Sequence, residues 1–199
     1  MYKIQTLNEI SELGTALFDR SKYTVSKDGG ADAVLVRSAS MHEAELPENL
    51  LAIARAGAGV NNIPTDKCSE LGICVFNTPG ANANAVKELV IAGLLMASRK
   101  ITDAVAWAKT VKDKGEEVPK LIEKSKSQFA GPEIKGKTLG VVGLGAIGTL
   151  VANAASALGM NVIGADPYLS PMSALKITPK LRYVNSVDEL YKECDYVSF

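Results

Sequence analysis

The stretch TLGVVGLGAIGTLVANAASALGMNVIGADP, residues 138–167, decides the fold. A short apolar run leads into three glycines, a run of helix-forming residues follows, and a second apolar run ends at Asp166. This order predicts a strand, a tight turn, a helix and a second strand parallel to the first. Gly143, Gly145 and Gly148 have the Gly-x-Gly-x-x-Gly spacing that, in this setting, is typical of a turn approaching the pyrophosphate of a dinucleotide.

Each glycine of this motif has a predicted purpose. The first permits the tight turn, the second leaves no side chain between backbone and phosphate, and the third lets helix and strand pack closely. The backbone amides of Ala146 and Ile147 open the helix, where free N–H groups and the helix dipole favour an anion. Two alternatives are a glycine turn without a ligand and an FAD site, although FAD fingerprints usually stand at the start of a chain.

The carboxylate of Asp166 favours NAD as the dinucleotide. It stands 21 residues after Gly145, at the end of the second predicted strand. A carboxylate at this place accepts hydrogen bonds from the ribose hydroxyls of the adenosine and repels the 2′-phosphate of NADP. The next residues, Pro167, Tyr168 and Leu169, include no arginine to hold that phosphate. We therefore expect NAD rather than NADP.

The composition excludes several classes of protein. Lys plus Arg and Asp plus Glu both number 22 in 199 residues, so the formal net charge is zero and neither a nucleic-acid nor a membrane-surface partner is expected. No signal peptide and no membrane-spanning run is apparent. Three cysteines without close spacing and the single histidine, His42, predict no metal site and a cytoplasmic protein with reduced thiols.

The rest of the chain predicts an α/β protein with parallel sheets. In the first half, short apolar strands alternate with helical patterns, one of them over residues 8–18. Residues 82–110 contain no proline and have wide apolar faces, which predicts one long helix or two abutting ones. We expect a domain boundary within that helical region, near residue 96.

Several sequence blocks, taken together, resemble the D-isomer-specific 2-hydroxyacid dehydrogenases. They are VRSAS (36–40), ARAGAGVNNI (54–63), VFNTPGANANAVKEL (75–89), GKTLGVVGLGAIG (136–148) and GADP (164–167). VRS and NTPGAN resemble the branch of the family that oxidises 3-phospho-D-glycerate in serine synthesis. The resemblance implies a flavodoxin-like substrate domain over residues 1–96, followed by an incomplete, doubly wound Rossmann NAD-binding domain over residues 97–199. It also implies a homodimer or a higher homo-oligomer.

The resemblance also implies a substrate site after the strands of the first domain. Glycine-rich backbone there is expected to cradle the substrate carboxylate, and two arginines are expected to hold its phosphate or carboxylate. The alternative for each arginine is a surface ion pair. Ala58 is also expected near the nicotinamide. The implied substrate-binding residues are Arg37, Arg55, Gly57, Ala58, Gly59 and Val60.

The chain departs from the family pattern at the catalytic residues. The resemblance implies an arginine, a glutamate and a histidine for catalysis, and no residue of this chain matches them, since His42 stands in the wrong motif. We therefore expect a fragment that is inactive alone. Asn61 replaces a common aspartate, and Ala146 replaces a common arginine, which removes one side-chain contact to the pyrophosphate. The alternatives are a dehydrogenase for another D-2-hydroxyacid and a non-catalytic NAD-sensing protein similar to corepressors of this fold.

Overall fold

The computed structural model describes all 199 residues and divides into two compact units, Met1–Asn82 and Ala83–Phe199. The expected boundary near residue 96 falls inside helix α3 (Ala83–Arg99), which lies wholly in the second unit. Val90 and Leu94 on this helix pack against the hydrophobic core of the second unit. The helix is therefore part of that core, which moves the boundary back to its first residue.

The first unit has a five-stranded parallel sheet in the order β2-β1-β3-β4-β5. This is the strand order of flavodoxin-like folds, so the predicted fold is confirmed. Its core centres on the fully buried side chains of Val36, Ile53 and Cys68. Its elements are β1 (Tyr2–Leu7), α1 (Glu12–Thr15), β2 (Tyr23–Ser26), β3 (Ala33–Val36), β4 (Ala52–Arg55), α2 (Thr65–Glu70) and β5 (Cys74–Phe76).

The second unit has a four-stranded parallel sheet in the order β8-β7-β6-β9. This matches the first four strands of the doubly wound 3-2-1-4-5-6 order, which confirms the predicted Rossmann fold. After α3 its elements are α4 (Ile101–Val111), α5 (Val118–Ser125), β6 (Thr138–Val142), α6 (Ala146–Ala157), β7 (Asn161–Ala165), α7 (Pro171–Ala174), β8 (Arg182–Tyr183), α8 (Val187–Glu193) and β9 (Tyr196–Ser198), with short 3₁₀ turns at Gly115–Glu117 and Lys126–Phe129.

Two helical predictions have different outcomes. Residues 82–110 form two abutting helices, because Lys100 between them adopts a left-handed backbone with φ of 48°. In place of the helix expected over residues 8–18, the structure has a helix of only four residues, α1. Leu13 and Leu17 are 85% and 86% exposed, so no tertiary packing stabilises a longer helix there. None of the helices combines the length and the apolar character needed to cross a membrane.

Candidate functional site

The glycine loop after β6 has the tight turn that its first glycine predicts. Gly143 has φ of 88°, a left-handed conformation that side chains disfavour. Its N–H donates to the carbonyl of Ala165 at the end of β7, at 2.8 Å. The turn is therefore fixed against the neighbouring strand, and it directs the chain into helix α6.

The second and third glycines, Gly145 and Gly148, differ in whether the protein itself leaves room for a side chain. A Cβ at Gly148 would overlap the carbonyl oxygen of Gly143, so close packing of helix on loop requires glycine. A Cβ at Gly145 would meet nothing within 4 Å, and Gly145 has an extended backbone that any residue adopts. Neither packing nor conformation explains the glycine at position 145. Its bare backbone fits close approach by a ligand, which agrees with the pyrophosphate of a dinucleotide.

Leu144 anchors the loop between these glycines. Its side chain is fully buried, and a Cβ on Gly164 of β7 would stand only 3.0 Å from it. Its N–H donates to Oδ2 of Asp166 at 2.8 Å, and its carbonyl accepts from the buried hydroxyl of Thr149 at 2.9 Å. The buried Leu144 side chain and these two hydrogen bonds thus fix the loop to the core, while its backbone at Gly145 faces open space. Leu144 and Thr149 were not predicted as site residues.

Asp166 joins the loop to the end of β7. Its Oδ1 accepts the N–H of Tyr168 at 2.8 Å, and its backbone carbonyl accepts the hydroxyl of Tyr183 at 2.7 Å. Together with the bond from Leu144, each carboxylate oxygen accepts one amide and retains a lone pair for a further donor. The half-buried carboxylate is therefore fixed in place and can still accept ribose hydroxyls.

Helix α6 begins at this loop with Gly145 as its N-cap and no side-chain cap. Ala146 and Ile147 in the first turn are exposed. The unpaired amides of a first helical turn, with the helix dipole, suit a phosphate group. The structure thus brings together all six predicted cofactor residues of the second unit: Gly143, Gly145, Ala146, Ile147, Gly148 and Asp166. This arrangement, at the carboxyl ends of β6 and β7, is suited to a dinucleotide.

Arg55, at the end of β4 in the first unit, organises the predicted substrate loop. Its Nε donates to the carbonyl of Arg37 at 3.0 Å, and its Nη1 donates to the carbonyl of Gly59. The loop closes so tightly on the guanidinium that a Cβ at Gly59 would stand 2.9 Å from Nη1. Arg55 forms no ion pair with a carboxylate, so the alternative expected for it does not occur. Its remaining N–H groups are free for an anion.

The backbone amides of this loop are only partly available. The N–H of Gly57 donates to the carbonyl of Arg55 at 2.9 Å, so it cannot serve as a free donor. The amides of Ala58, Gly59 and Val60 donate to no group of the protein. The Asn77 side chain donates to the carbonyl of Ala58 at 2.6 Å and orders the loop. The predicted cradle over residues 57–60 therefore has three free donors rather than four.

Arg37 follows β3 and is exposed, and it too forms no ion pair. It lines an open pocket of about 430 Å³ with Asn8, Glu9, Lys27 and Ser38. Lys27 pairs with Glu9 at 3.4 Å, so Arg37 is the unpaired cation of this pocket. Asn8 was not singled out in the sequence, although a polar residue at the carboxyl end of the first strand is a signal for a site.

The remaining candidate groups have structural contacts. The Nε2 of His42 hydrogen-bonds the carbonyl of Asn61 at 2.9 Å, which ties two loops together. Burial raises the pKa of the Cys68 thiol and of the Cys194 thiol, which disfavours the reactive thiolate form of both.

Comparisons with known proteins agree with this geometry. Residues 91–199 match the profile of the D-isomer specific 2-hydroxyacid dehydrogenase, NAD binding domain. The chain is 37% identical over 198 residues to a D-3-phosphoglycerate dehydrogenase of Methanocaldococcus jannaschii, covering 98% of this chain and 35% of that protein. It is 40% identical over 170 residues to a hydroxypyruvate reductase of Thermotoga maritima, covering 84% of this chain and 50% of that protein.

A solved structure extends the likeness to the fold. NAD⁺-bound 3-phosphoglycerate dehydrogenase from Entamoeba histolytica superposes with a TM-score of 0.68 at 26% identity, covering 98% of this chain and 61% of that one. The chain belongs to the D-isomer-specific 2-hydroxyacid dehydrogenase family. The second unit carries its NAD-binding domain. The chain spans about a third of the length of the phosphoglycerate dehydrogenase from Methanocaldococcus.

Proposed function

We propose that the complete protein is an NAD-dependent dehydrogenase that oxidises 3-phospho-D-glycerate to 3-phosphohydroxypyruvate, the entry step of serine synthesis. The observation that carries this proposal is the pair of arginines, Arg37 and Arg55, at the carboxyl ends of the neighbouring strands β3 and β4. Neither forms an ion pair, and a substrate with both a phosphate and a carboxylate needs such cations. Relatives named D-3-phosphoglycerate dehydrogenase support the same substrate.

The residues of the two units have separate proposed tasks. In the second unit, Asp166 holds the ribose, and the amides of the first turn of α6 hold the pyrophosphate. In the first unit, the arginines hold phosphate or carboxylate, and the free amides of residues 58–60 receive the other anionic group. When bound, NAD supplies the acceptor for the hydride that leaves the hydroxyl-bearing carbon.

We assign no proton-transfer residue among these 199. His42 lies in the first unit and is already bonded to the carbonyl of Asn61. The arginine, glutamate and histidine that the family resemblance implies have no counterpart here. We therefore propose that this chain alone binds NAD and does not turn substrate over. The proposed location is the cytoplasm, which fits three cysteines without a disulfide.

One further candidate substrate class has support. The likeness to the hydroxypyruvate reductase of Thermotoga favours an unphosphorylated D-2-hydroxyacid. Steady-state kinetics of the complete protein on 3-phosphoglycerate, glycerate and lactate separate the two. We expect the phosphorylated substrate to have the highest kcat/KM, and Arg37→Ala to lower that value about tenfold or more, as loss of a charge-assisted hydrogen bond does. Equal or better turnover of glycerate would favour the second candidate.

We also propose a homodimer built on helices α3 and α4. One side of α3 packs against α6 through Val90 and Leu94, whereas Leu89 is 74% exposed and Val105 of α4 is 51% exposed. A broad apolar surface of this kind typically marks an interface. Leu89→Glu should shift the sedimentation coefficient to that of a monomer. A wild-type protein that sediments as a monomer at micromolar concentration would contradict the proposal.

A further inference from the structure

We propose that Asn8 is a positioning residue: its amide oxygen holds the backbone that presents Arg37 and Ser38 to an anionic ligand. Oδ1 of Asn8 accepts the N–H groups of Arg37, Ser38 and Ala39 at 3.2, 2.9 and 2.9 Å. Three successive amides converging on one oxygen form a concave site of the kind that otherwise binds an anion. Here the protein supplies the acceptor from a residue 29 to 31 positions away in the sequence.

The backbone of Asn8 is suited to this contact. It has φ of 73°, a left-handed conformation that asparagine tolerates better than most residues. Asn8 follows β1, and the three amides follow β3, its neighbour in the sheet. From β1 the chain continues to β2 on one side, whereas β3 lies on the other side of β1 and is followed there by β4 and β5. The direction in which strands are added to the sheet therefore reverses between β1 and β3. In open α/β sheets such a point, at the carboxyl ends of the strands, is where ligands bind.

The loop that carries Arg37 is held from its other side as well. The carbonyl of Ala39 accepts the Nδ2 of buried Asn62 at 2.8 Å, and the N–H of Met41 donates to the carbonyl of Asn62 at 2.8 Å. Asn8 thus fixes the N–H groups of residues 37–39, and Asn62 fixes the carbonyl of Ala39 and the N–H of Met41. The exposed Arg37 side chain extends from a backbone that is held on both sides.

The neutral charge of Asn8 is part of the argument. A carboxylate would accept the same three N–H groups more strongly. It would also place a negative charge in the pocket whose unpaired cation is Arg37 and reduce the attraction for an anion. An amide oxygen holds the loop without this cost. The inference rests on the proposed function in one respect only, namely that the anion is the phosphate or carboxylate of the substrate.

Two substitutions separate the geometry from the charge. Asn8→Gly keeps the left-handed backbone and removes the acceptor, whereas Asn8→Asp keeps the acceptor and adds a charge. The matched control is Asn49→Gly, because exposed Asn49 donates to Asp32 at 3.0 Å, at the amino end of the same strand β3. The readouts are amide hydrogen exchange of residues 37–39, inorganic phosphate binding followed by NMR shifts of those amides, and KM of the complete protein for 3-phosphoglycerate.

We expect Asn8→Gly to speed the exchange of the three amides, to weaken phosphate binding, and to raise KM about tenfold or more through misplacement of the ligand contacts. Asn8→Asp should keep slow exchange, yet weaken phosphate binding, with a smaller effect at high salt. NAD affinity should stay unchanged in both, and Asn49→Gly should change neither binding nor KM.

The outcomes distinguish this inference from the proposed function. Unchanged amide exchange or unchanged phosphate binding in Asn8→Gly overturns the inference whatever the enzyme activity. Equal effects in Asn8→Gly and Asn49→Gly show a merely structural residue and also overturn it. If the wild-type protein oxidises no 2-hydroxyacid while Asn8→Gly still loses phosphate binding, the proposed function fails and the positioning role stands.

Discussion

Substitution of Gly145 by alanine should weaken NAD binding about tenfold or more while leaving the fold intact. The backbone of Gly145 is extended, with φ of −73° and ψ of −157°, and a Cβ there would meet no protein atom within 4 Å. Alanine is a poorer N-cap than glycine by roughly 0.5–1 kcal/mol. The lower entropy of the unfolded chain offsets this by about 0.4–1 kcal/mol. The net change in the free energy of unfolding should be within about 0.5 kcal/mol, or about 2 °C in Tm.

The comparison variant is Gly148→Ala, three residues further along the chain. Its Cβ would overlap the carbonyl oxygen of Gly143, so α6 must move away from the loop. Overpacking of this kind costs about 1–3 kcal/mol, which lowers Tm by about 2–12 °C. The two substitutions add the same methyl group to the same motif, but only one of them meets protein.

Thermal unfolding and calorimetric titration with NADH measure both effects on the same chain. We expect Gly145→Ala to melt like the wild type and to bind NADH at least about tenfold more weakly, which corresponds to about 1.4 kcal/mol. Gly148→Ala should lose stability and binding together. Wild-type affinity in Gly145→Ala would refute the reasoning, because the open space at Gly145 would then not be the place of the cofactor. A large fall in its Tm would equally refute it.

Three further predictions concern single side chains. Asp166→Ala should weaken NAD binding by roughly 1.5–3 kcal/mol and NADP binding by less. Because Asp166 also holds the backbone of Leu144, only the ratio of the NAD and NADP affinities, measured by calorimetry, isolates the ribose contact. A ratio within about twofold of that of the wild type would contradict the ribose contact. Arg55→Ala should lower Tm and raise KM for the phosphorylated substrate. Arg55→Lys should not restore KM, because an ammonium group cannot reproduce the two directed hydrogen bonds to the loop. An unchanged KM in Arg55→Ala would show that Arg55 is purely structural. The N–H of Thr138 lowers the pKa of Asp195. The carboxylate of Asp195 therefore stabilises the fold above the ordinary carboxyl pKa, and this stabilisation is lost as pH falls through the lower pKa of the folded state. Between about pH 5 and pH 2 the Tm of Asp195→Asn should fall less than that of the wild type, and equal falls in the two proteins would contradict this.

Patterns within short windows predicted the parts of the fold that local chemistry controls. The run from Thr138 to Asp166 contains strand, turn, helix and strand signals in sequence, and all of them appear in the structure. The cofactor residues come from this one stretch, so they lie together once it folds. The same reasoning failed over residues 8–18, where apolar spacing suggested a helix. Leu13 and Leu17 remain exposed there, and spacing alone does not stabilise a helix without a surface to cover.

Contacts between distant segments were beyond the reach of sequence patterns. Asn8 meets Arg37 through a separation of 29 residues, and nothing in the letters around Asn8 specifies its left-handed backbone or its partners. The structural contacts of Arg55 were equally beyond the sequence. Its motif indicates an anion site, whereas in the structure part of its guanidinium donates to the carbonyls of Arg37 and Gly59 and closes the loop. The short edge strand β2 also went unpredicted, because pairing with β1 defines it more than its own residues do.

The parallel arrangement of both sheets separates two kinds of connection. Every site residue named above lies at or just beyond the carboxyl end of a strand, as Arg55 ends β4 and Gly143 follows β6. The turns at the opposite, amino ends, such as Gly29–Gly30 before β3 and Gly159 before β7, carry none of them. An affinity tag, a fluorophore or an inserted domain therefore belongs at an amino-end turn. There it can report on the folded protein while the ligand-facing edge of each sheet keeps its shape.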